Sequence, residues 1–308
     1  MGCFGDAWDR NCAAAGVAWR RMRLELFTTA TAEKWFTLGF TAWLANLAGS
    51  GGGGGFNLPN PSSRSGKTGA VGTPEWLGTV LHWCQEHWLL IGVAGAAFLL
   101  VVLAAWLVLL WVGCRAKFMF ADQVARRHLL VKEPWCEFKA QGNSYLAWSV
   151  GIGVVALGVL AVWGGGVAAW IVTRPHSFSA HLAFAVGAGL VLCLLLLALV
   201  LAVEAMDNFI LPLMYRDRLG AGAAWRRLGG LVAARPWDYL AFMLLYLLLA
   251  LAAGAGVCAL ILCTCCLAGC LMMIPYLGAV LLLPVTYFFR AFNLAFLEQV
   301  DPVRPVLV

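Results

Sequence analysis

The chain has 308 residues, of which 62% are hydrophobic and 12% are charged, and its formal net charge is +6. Its mean hydropathy of +0.84 is far above that of soluble domains of this length. This composition excludes a water-soluble core and indicates a membrane protein.

Apolar runs long enough to cross a bilayer follow one another along the chain. A hydrocarbon layer of roughly 30 Å takes about 20 helical residues. The last two spans share one block without Asp, Glu, Lys or Arg, so we expect a turn near Thr264 to Cys270. The first candidate has only 15 residues and is short enough to be interfacial or re-entrant instead. In chain order the candidates are Trp35 to Gly49, Trp88 to Val112, Tyr145 to Val172, His181 to Val203, and two inside Tyr239 to Phe289.

The distribution of Lys and Arg decides whether the first candidate spans. If the first candidate spans, the chain has six spans, 18 basic residues lie on the cytoplasmic side, and only Arg64, Lys67 and Arg174 lie outside. If it does not span, 13 basic residues lie on the cytoplasmic side and 8 lie outside. The positive-inside rule favours the first arrangement. We therefore predict an all-α integral protein of the inner (cytoplasmic) membrane, with six transmembrane helices in three hairpins and both termini in the cytoplasm.

The predicted organisation has two parts. A cytoplasmic amphipathic basic segment, 1–34, precedes a single six-helix membrane domain, 35–308. Within that domain, the Gly-rich loop 50–86 is predicted to be extracytoplasmic, and loops 113–144 and 204–236 cytoplasmic.

The basic segments place apolar residues at helical spacing and arginines on other faces, which is typical of helices that lie on a membrane surface. Two interpretations stay open: the arginines bind anionic lipid headgroups, or the helices cover the inner mouth of the bundle. The tetrapeptide Ala18-Trp19-Arg20-Arg21 recurs at 224–227, which indicates either an internal repeat or the preference of Trp and Arg for the interface. The candidate headgroup contacts are Arg20, Arg21, Arg126, Arg127, Arg226 and Arg227.

A charge cluster is predicted at the inner ends of the fourth and sixth spans. Glu204 and Asp207 are three residues apart and would share a helix face, and Arg290 is their predicted partner. Such a cluster is either a proton or cation relay or an ion pair that locks two helices together. Three predicted helix breaks would surround it, as broken helices surround transporter sites: Pro212, Pro275 and Pro284.

Cysteines are concentrated between Cys263 and Cys270, with the spacing C-x-C-C-x3-C. This spacing could hold a metal ion or form a disulfide. Because no His or carboxylate lies nearby in the sequence, we predict that these residues pack as small apolar side chains and that no metal or cofactor is bound.

Several motifs carry a family resemblance. The stretch Asp207 to Tyr215, followed by Ala224-Trp225-Arg226, resembles a signature of bacterial membrane proteins related to the membrane domain attached to some glycerophosphoryl diester phosphodiesterases. The resemblance implies a membrane-domain fold and no phosphodiesterase activity, because the barrel that carries that chemistry is absent from these residues. Three further segments resemble the same group of proteins: Glu133 to Phe138, Gly142 to Ser144 and Trp35 to Phe40.

No catalytic constellation is found, so the sequence predicts a non-enzymatic protein. It is expected to be a membrane scaffold or lipid-interacting module whose partner is the bilayer, including anionic lipids, and not nucleic acid. The alternative is a transporter of a small solute, lipid or ion that uses Glu204 and Asp207. A polar cavity reaching Asp207 would favour transport, and a dry core would favour the scaffold.

Overall fold

All regular secondary structure is helical in the residues that the structure, a computed structural model, describes: 2–28, 31–47, 83, 86–173, 178–264, 267–272 and 274–302. Two π-helical turns, Leu24–Thr28 and Met206–Ile210, interrupt the α-helical geometry. Most of the predicted extracytoplasmic loop 50–86 lies outside the described residues. In chain order the helices are α1 (Gly2–Arg23), α2 (Ala32–Leu47), α3 (Trp88–Arg126), α4 (Lys132–Glu137), α5 (Lys139–Thr173), α6 (Phe178–Ala205), α7 (Leu211–Asp217), α8 (Ala221–Ala234), α9 (Pro236–Cys263), α10 (Leu267–Met272), α11 (Pro275–Leu281) and α12 (Leu283–Val300).

Four helical stretches within the described residues are long and apolar enough to cross a membrane: Trp88–Arg126, Lys139–Trp170, Phe184–Asp217 and Pro236–Cys263. Their apolar side chains are largely exposed, as Val162 illustrates with 79% of its surface accessible. Such exposure is favourable against lipid and unfavourable against water. The prediction of an all-helical chain with membrane-length apolar helices is confirmed.

The first and last predicted spans differ from these four. Helix α2 has 16 residues and packs along α3, where the Thr41 hydroxyl donates to the Gln123 side-chain oxygen at 2.6 Å. Beyond Cys263 the chain breaks into three short helices, with new starts at Pro275 and Leu283. The count of six spans therefore stays a prediction.

The core lies at the ends of the long helices where the segments predicted as cytoplasmic loops begin. Loops 113–144 and 204–236 are mostly helical, and α3 continues without interruption to Arg126. The apolar faces predicted to lie on the membrane pack inward instead: Met22, Leu26, Phe118, Phe120 and Val124 are all buried.

Segment 1–34 is not a separate unit, because α1 packs against both α9 and α12. The Asn11 side chain donates to the backbone carbonyl of Asp238 at 3.2 Å, and Arg10 forms an ion pair with the Asp238 carboxylate. Among the apolar residues singled out on this helix, Trp19 alone stays exposed, at 53%. These contacts favour the interpretation in which α1 covers the inner end of the bundle.

Ion pairs hold α7, α8 and the end of α12 together. Asp301 Oδ2 accepts from Arg216 Nη2 at 2.6 Å and from Arg227 Nη2 at 2.7 Å, and Arg227 Nη1 lies 2.9 Å from Asp217 Oδ2. On the other side of α7, the Tyr215 hydroxyl donates to Asp122 Oδ1 at 2.8 Å. Helix α7 is thereby fixed to both α3 and the C-terminal end of the described chain.

This pairing makes a prediction about pH. Burial raises the pKa of Asp301, but the hydrogen bonds and charges of Arg216 and Arg227 outweigh burial and hold that pKa below its usual value. A lowered pKa means that the pairs stabilise the fold above the unfolded-state pKa of about 3.9 and lose their effect as the pH falls through the folded-state value. The difference in melting temperature between wild type and Asp301→Asn should be constant above about pH 5 and shrink towards pH 3; an unchanged difference at pH 3 would contradict it.

Candidate ligand-binding crevice

A crevice of about 640 Å³ opens between α2, α3, α9 and α12, within the range of about 300–1,000 Å³ that is usual for ligand sites. One face of α9 lines it at helical spacing from Tyr246 to Ile261, a rise of about 22 Å. Its polar lining residues include Lys117, Glu204, Asp207, Asn208, Arg290 and Asn293. Its apolar lining includes Ala250, Ala253, Gly254, Val257, Ile261, Leu282, Val285 and Phe289.

The charged residues of the lining are gathered at one end, whereas the uncharged polar residues Asn46 and Thr286 also belong to the lining. Tyr246 lies nearest the start of α9, beside the inner ends of α3 and α6, and Ile261 lies two residues before its end. The charged residues come from those inner ends, Lys117 on α3 and Glu204 on α6, whereas α9 beyond Tyr246 contributes only small or apolar side chains to the lining. The crevice is therefore charged at one end and apolar along its length.

Asp207 is paired with Lys117, not with Arg290. Lys117 Nζ donates to Asp207 Oδ1 at 2.6 Å, and the Tyr145 hydroxyl donates to the same oxygen, also at 2.6 Å. Arg290 Nη1 donates to the backbone carbonyl of Asp207 at 3.1 Å. The predicted ion pair of Arg290 with Glu204 or Asp207 is thus not formed in the described residues, although all three side chains line the same crevice.

The correction has two physical causes. Asp207 lies in the π-helical turn Met206–Ile210, so its spacing from Glu204 is not that of an α-helix. Lys117 was assigned to a cytoplasmic loop, whereas it lies on the uninterrupted helix α3 with only 4% of its surface exposed. Its signal in the sequence was the helical spacing of the flanking residues Leu110, Cys114, Phe118, Ala121 and Val124, all of them buried.

A chain of hydrogen bonds links the two sides of the polar end. Asn208 Nδ2 donates to Glu204 Oε2 at 3.1 Å, and Asn293 Nδ2 donates to Asn208 Oδ1 at 3.0 Å. Asn293 is 3% exposed, and its own Oδ1 has no hydrogen-bond partner among the described residues. Such an orphaned buried acceptor is uncommon, because leaving it unpaired costs about 1–3 kcal/mol.

Two charges at this end remain without a counter-ion. Within the described residues, no cation lies within 4 Å of the Glu204 carboxylate and no carboxylate lies within 4 Å of the Arg290 guanidinium. Both side chains line the same crevice, as does Tyr246. Sequence reasoning missed Tyr246, Tyr145 and Asn293, which no motif distinguishes from interfacial or packing residues.

Two of the three prolines predicted to break helices lie at helix starts. Pro275 opens α11, and Pro284 lies in the first turn of α12, where the N–H that proline lacks would have no helical partner. Pro212 does not break its helix: it is buried at the start of α7, directly after the π-helical turn. Of the two helices that start at these prolines, α12 contributes residues to the crevice lining.

Of the six candidate headgroup arginines, four bind other segments of the protein, and the other two are exposed. Arg20 and Arg226 are exposed. Arg21 is buried and donates to the backbone carbonyls of Val124 and Ala125, both at 3.4 Å, so it holds α1 against α3 rather than facing a headgroup. The other three form ion pairs within the protein: Arg126 with Asp122 and Glu137, Arg127 with Glu25, and Arg227 with Asp217 and Asp301.

The cysteine cluster is only partly visible. Cys263 and Cys270 are free and exposed, and Cys258 lines the crevice, whereas Cys265 and Cys266 lie outside the described residues. In the part of the chain that the structure describes, no three His, Cys, Asp or Glu residues are arranged to hold a metal ion. Whether the cluster packs or forms a disulfide therefore stays a prediction.

Comparison with curated proteins and with solved structures gives no match. The resemblance to membrane domains of glycerophosphoryl diester phosphodiesterases is not touched by this outcome and stays a prediction. The family of unknown function DUF7544 matches residues 13–283, which is most of the chain and includes the greater part of the crevice lining, so the protein belongs to that family.

Proposed function

We propose that this protein is a non-enzymatic, lipid-interacting membrane protein that holds an amphiphile in the crevice. The observation that carries the proposal is the segregation of the lining, with Glu204, Arg290 and Asn293 at one end and the apolar face of α9 along the rest. A polar headgroup fits the first part and an acyl chain the second.

Filling the crevice tests the proposal. A Cβ added at Gly254 meets no atom within 4 Å, so Gly254→Trp can place its ring in the crevice without a backbone clash. Gly256 has the same free space but is not part of the lining, so Gly256→Trp is the matched control. We expect Gly254→Trp to lose most of the lipid that co-purifies with the wild type, measured by native mass spectrometry. Equal lipid retention in both variants would refute the crevice as the site.

Transport is the second candidate function, and the observation that favours it is the polar crevice that reaches Asp207. The helix start at Pro284 lies between the lining residues Leu282 and Val285, as expected where helices are broken around a transported substrate. A carrier moves its ligand between leaflets, whereas a scaffold only holds it. Protein-dependent scrambling of a fluorescent lipid in proteoliposomes, abolished by Gly254→Trp, would favour transport.

The proposal includes the topology expected from the charge distribution: six spans, both termini in the cytoplasm, and insertion in the inner membrane. Cysteine-accessibility labelling should therefore place Ser62 outside and Lys139 and Arg226 inside. Ser62 belongs to the part of the chain outside the described residues. Labelling Ser62 and Arg226 from the same side would contradict six spans.

A further inference from the structure

Among the described residues, the charged groups without a counter-ion in direct contact at the polar end of the crevice are one guanidinium, that of Arg290, and one carboxylate, that of Glu204. The charge of Lys117 is already matched by Asp207 at 2.6 Å. Arg290 uses one N–H on a backbone carbonyl, and Glu204 accepts one hydrogen bond from Asn208. The polar end therefore offers one positive and one negative charge, which together complement a zwitterion.

Each group selects a ligand chemistry. A guanidinium binds phosphate oxygens through several N–H donors at once. A carboxylate requires a cation, and a cation with N–H bonds also supplies hydrogen-bond donors to it. A ligand that satisfies both charges carries a phosphate and a cation with N–H bonds.

We propose that the crevice selects a phospholipid whose headgroup is a phosphate zwitterion with a primary ammonium. This inference rests on the proposed lipid binding and adds its specificity. The phosphate lies against Arg290, and the ammonium donates to Glu204. The lipid form is favoured over a free headgroup because the apolar face of α9 would otherwise stay uncovered.

A quaternary ammonium does not satisfy this site. It has no N–H to donate and is bound in proteins by aromatic side chains arranged around it. Tyr246 and Phe289, two aromatic residues of the lining, instead pack against each other, with ring centroids 4.9 Å apart. The site is therefore built for hydrogen bonding to the cation rather than for an aromatic cage.

The test compares two lipids that differ only in the cation. The full-length protein, purified in detergent and stripped of lipid, is titrated with phosphatidylethanolamine and with phosphatidylcholine of identical acyl chains, and binding is followed by native mass spectrometry. We expect phosphatidylethanolamine to bind about tenfold more tightly, the effect of losing hydrogen bonds to a charged group. Free phosphoethanolamine should bind far more weakly than the lipid.

Variants assign the preference to residues. Glu204→Gln keeps an acceptor for Asn208 and removes the charge, so it should reduce the tenfold preference to about twofold or less; Glu133→Gln, at an exposed position, is its control. Arg290→Gln should weaken both lipids by a similar factor, with exposed Arg23→Gln as control. Thermal unfolding of each variant verifies that it is folded.

The outcomes separate the two levels of the proposal. Equal binding of both lipids that is still lost in Gly254→Trp would overturn the headgroup selectivity and leave lipid binding intact. Binding of neither lipid would overturn both. Equal binding of free phosphoethanolamine and of the lipid would overturn the lipid identity in favour of a soluble zwitterion.

Discussion

Replacing Lys117 by methionine is expected to lower the free energy of unfolding by about 3–5 kcal/mol, the cost of breaking a buried ion pair on one side only. Methionine keeps most of the volume of the lysine stem but leaves the Asp207 carboxylate with the Tyr145 hydroxyl and no cation in contact. The change is measured as the shift in thermal unfolding in detergent, followed by intrinsic tryptophan fluorescence.

A second substitution separates charge from packing. Lys117→Met combined with Asp207→Asn removes both charges and keeps an oxygen that can accept from Tyr145, so much of the loss should be recovered. Lys139→Met, at an exposed lysine, is the control for the loss of a positive charge and should change little. If the double variant is as unstable as the single one, Lys117 acts through packing and not through Asp207.

Replacing Phe242 by alanine should cost about 3–5 kcal/mol, the usual range for a large-to-small change in a core. Phe242 is fully buried, and its ring centroid lies 4.3 Å from that of Phe296, 4.8 Å from that of Phe292 and 5.1 Å from that of Phe209. These rings join α9 to α12 and to the π-helical turn that carries Asp207. The cavity left by alanine is therefore expected to loosen the position of Asp207 in the crevice lining as well.

The matched control is Phe98→Ala on α3, where the phenylalanine is 72% exposed along an apolar, membrane-length helix. Thermal unfolding in the same detergent should separate the two variants clearly, because exposure to detergent or lipid leaves no cavity at position 98. Similar melting temperatures for both would mean that the inner aromatic cluster is not the stabilising core.

Hydropathy predicts the long helices well because lipid-facing stretches such as Leu99 to Val112 carry an unbroken apolar signal. It fails at the inner ends. There Lys117 and Asp122 lower the local hydropathy although both are buried, so a continuous helix was interpreted as a loop. Their burial depends on partners 90 and 93 residues away, Asp207 and Tyr215, which no local pattern specifies.

The sequence identified which charged residues would lie together in the candidate site better than which of them would form ion pairs. Glu204, Asp207 and Arg290 were grouped by their common depth, and all three line the crevice. Depth alone could not give azimuth, the direction in which each side chain leaves its helix. The π-helical turn changes that direction at Asp207, and its sequence, Met206 to Ile210, has no feature that distinguishes it from an ordinary helical turn.

The π-helical turn Met206–Ile210 also fixes how the rest of the helix is rotated, because that rotation depends on the number of residues in the turn. In an α-helix each residue advances the chain by about 100° around the axis, so deleting a single residue from Met206–Ile210 would rotate everything after it by that angle. Tyr215 would then turn away from Asp122, and Arg216 from Asp301, even if every remaining side chain were kept. A one-residue deletion should therefore be more damaging than a conservative substitution at Met206, so the number of residues in this turn is itself a requirement of the fold.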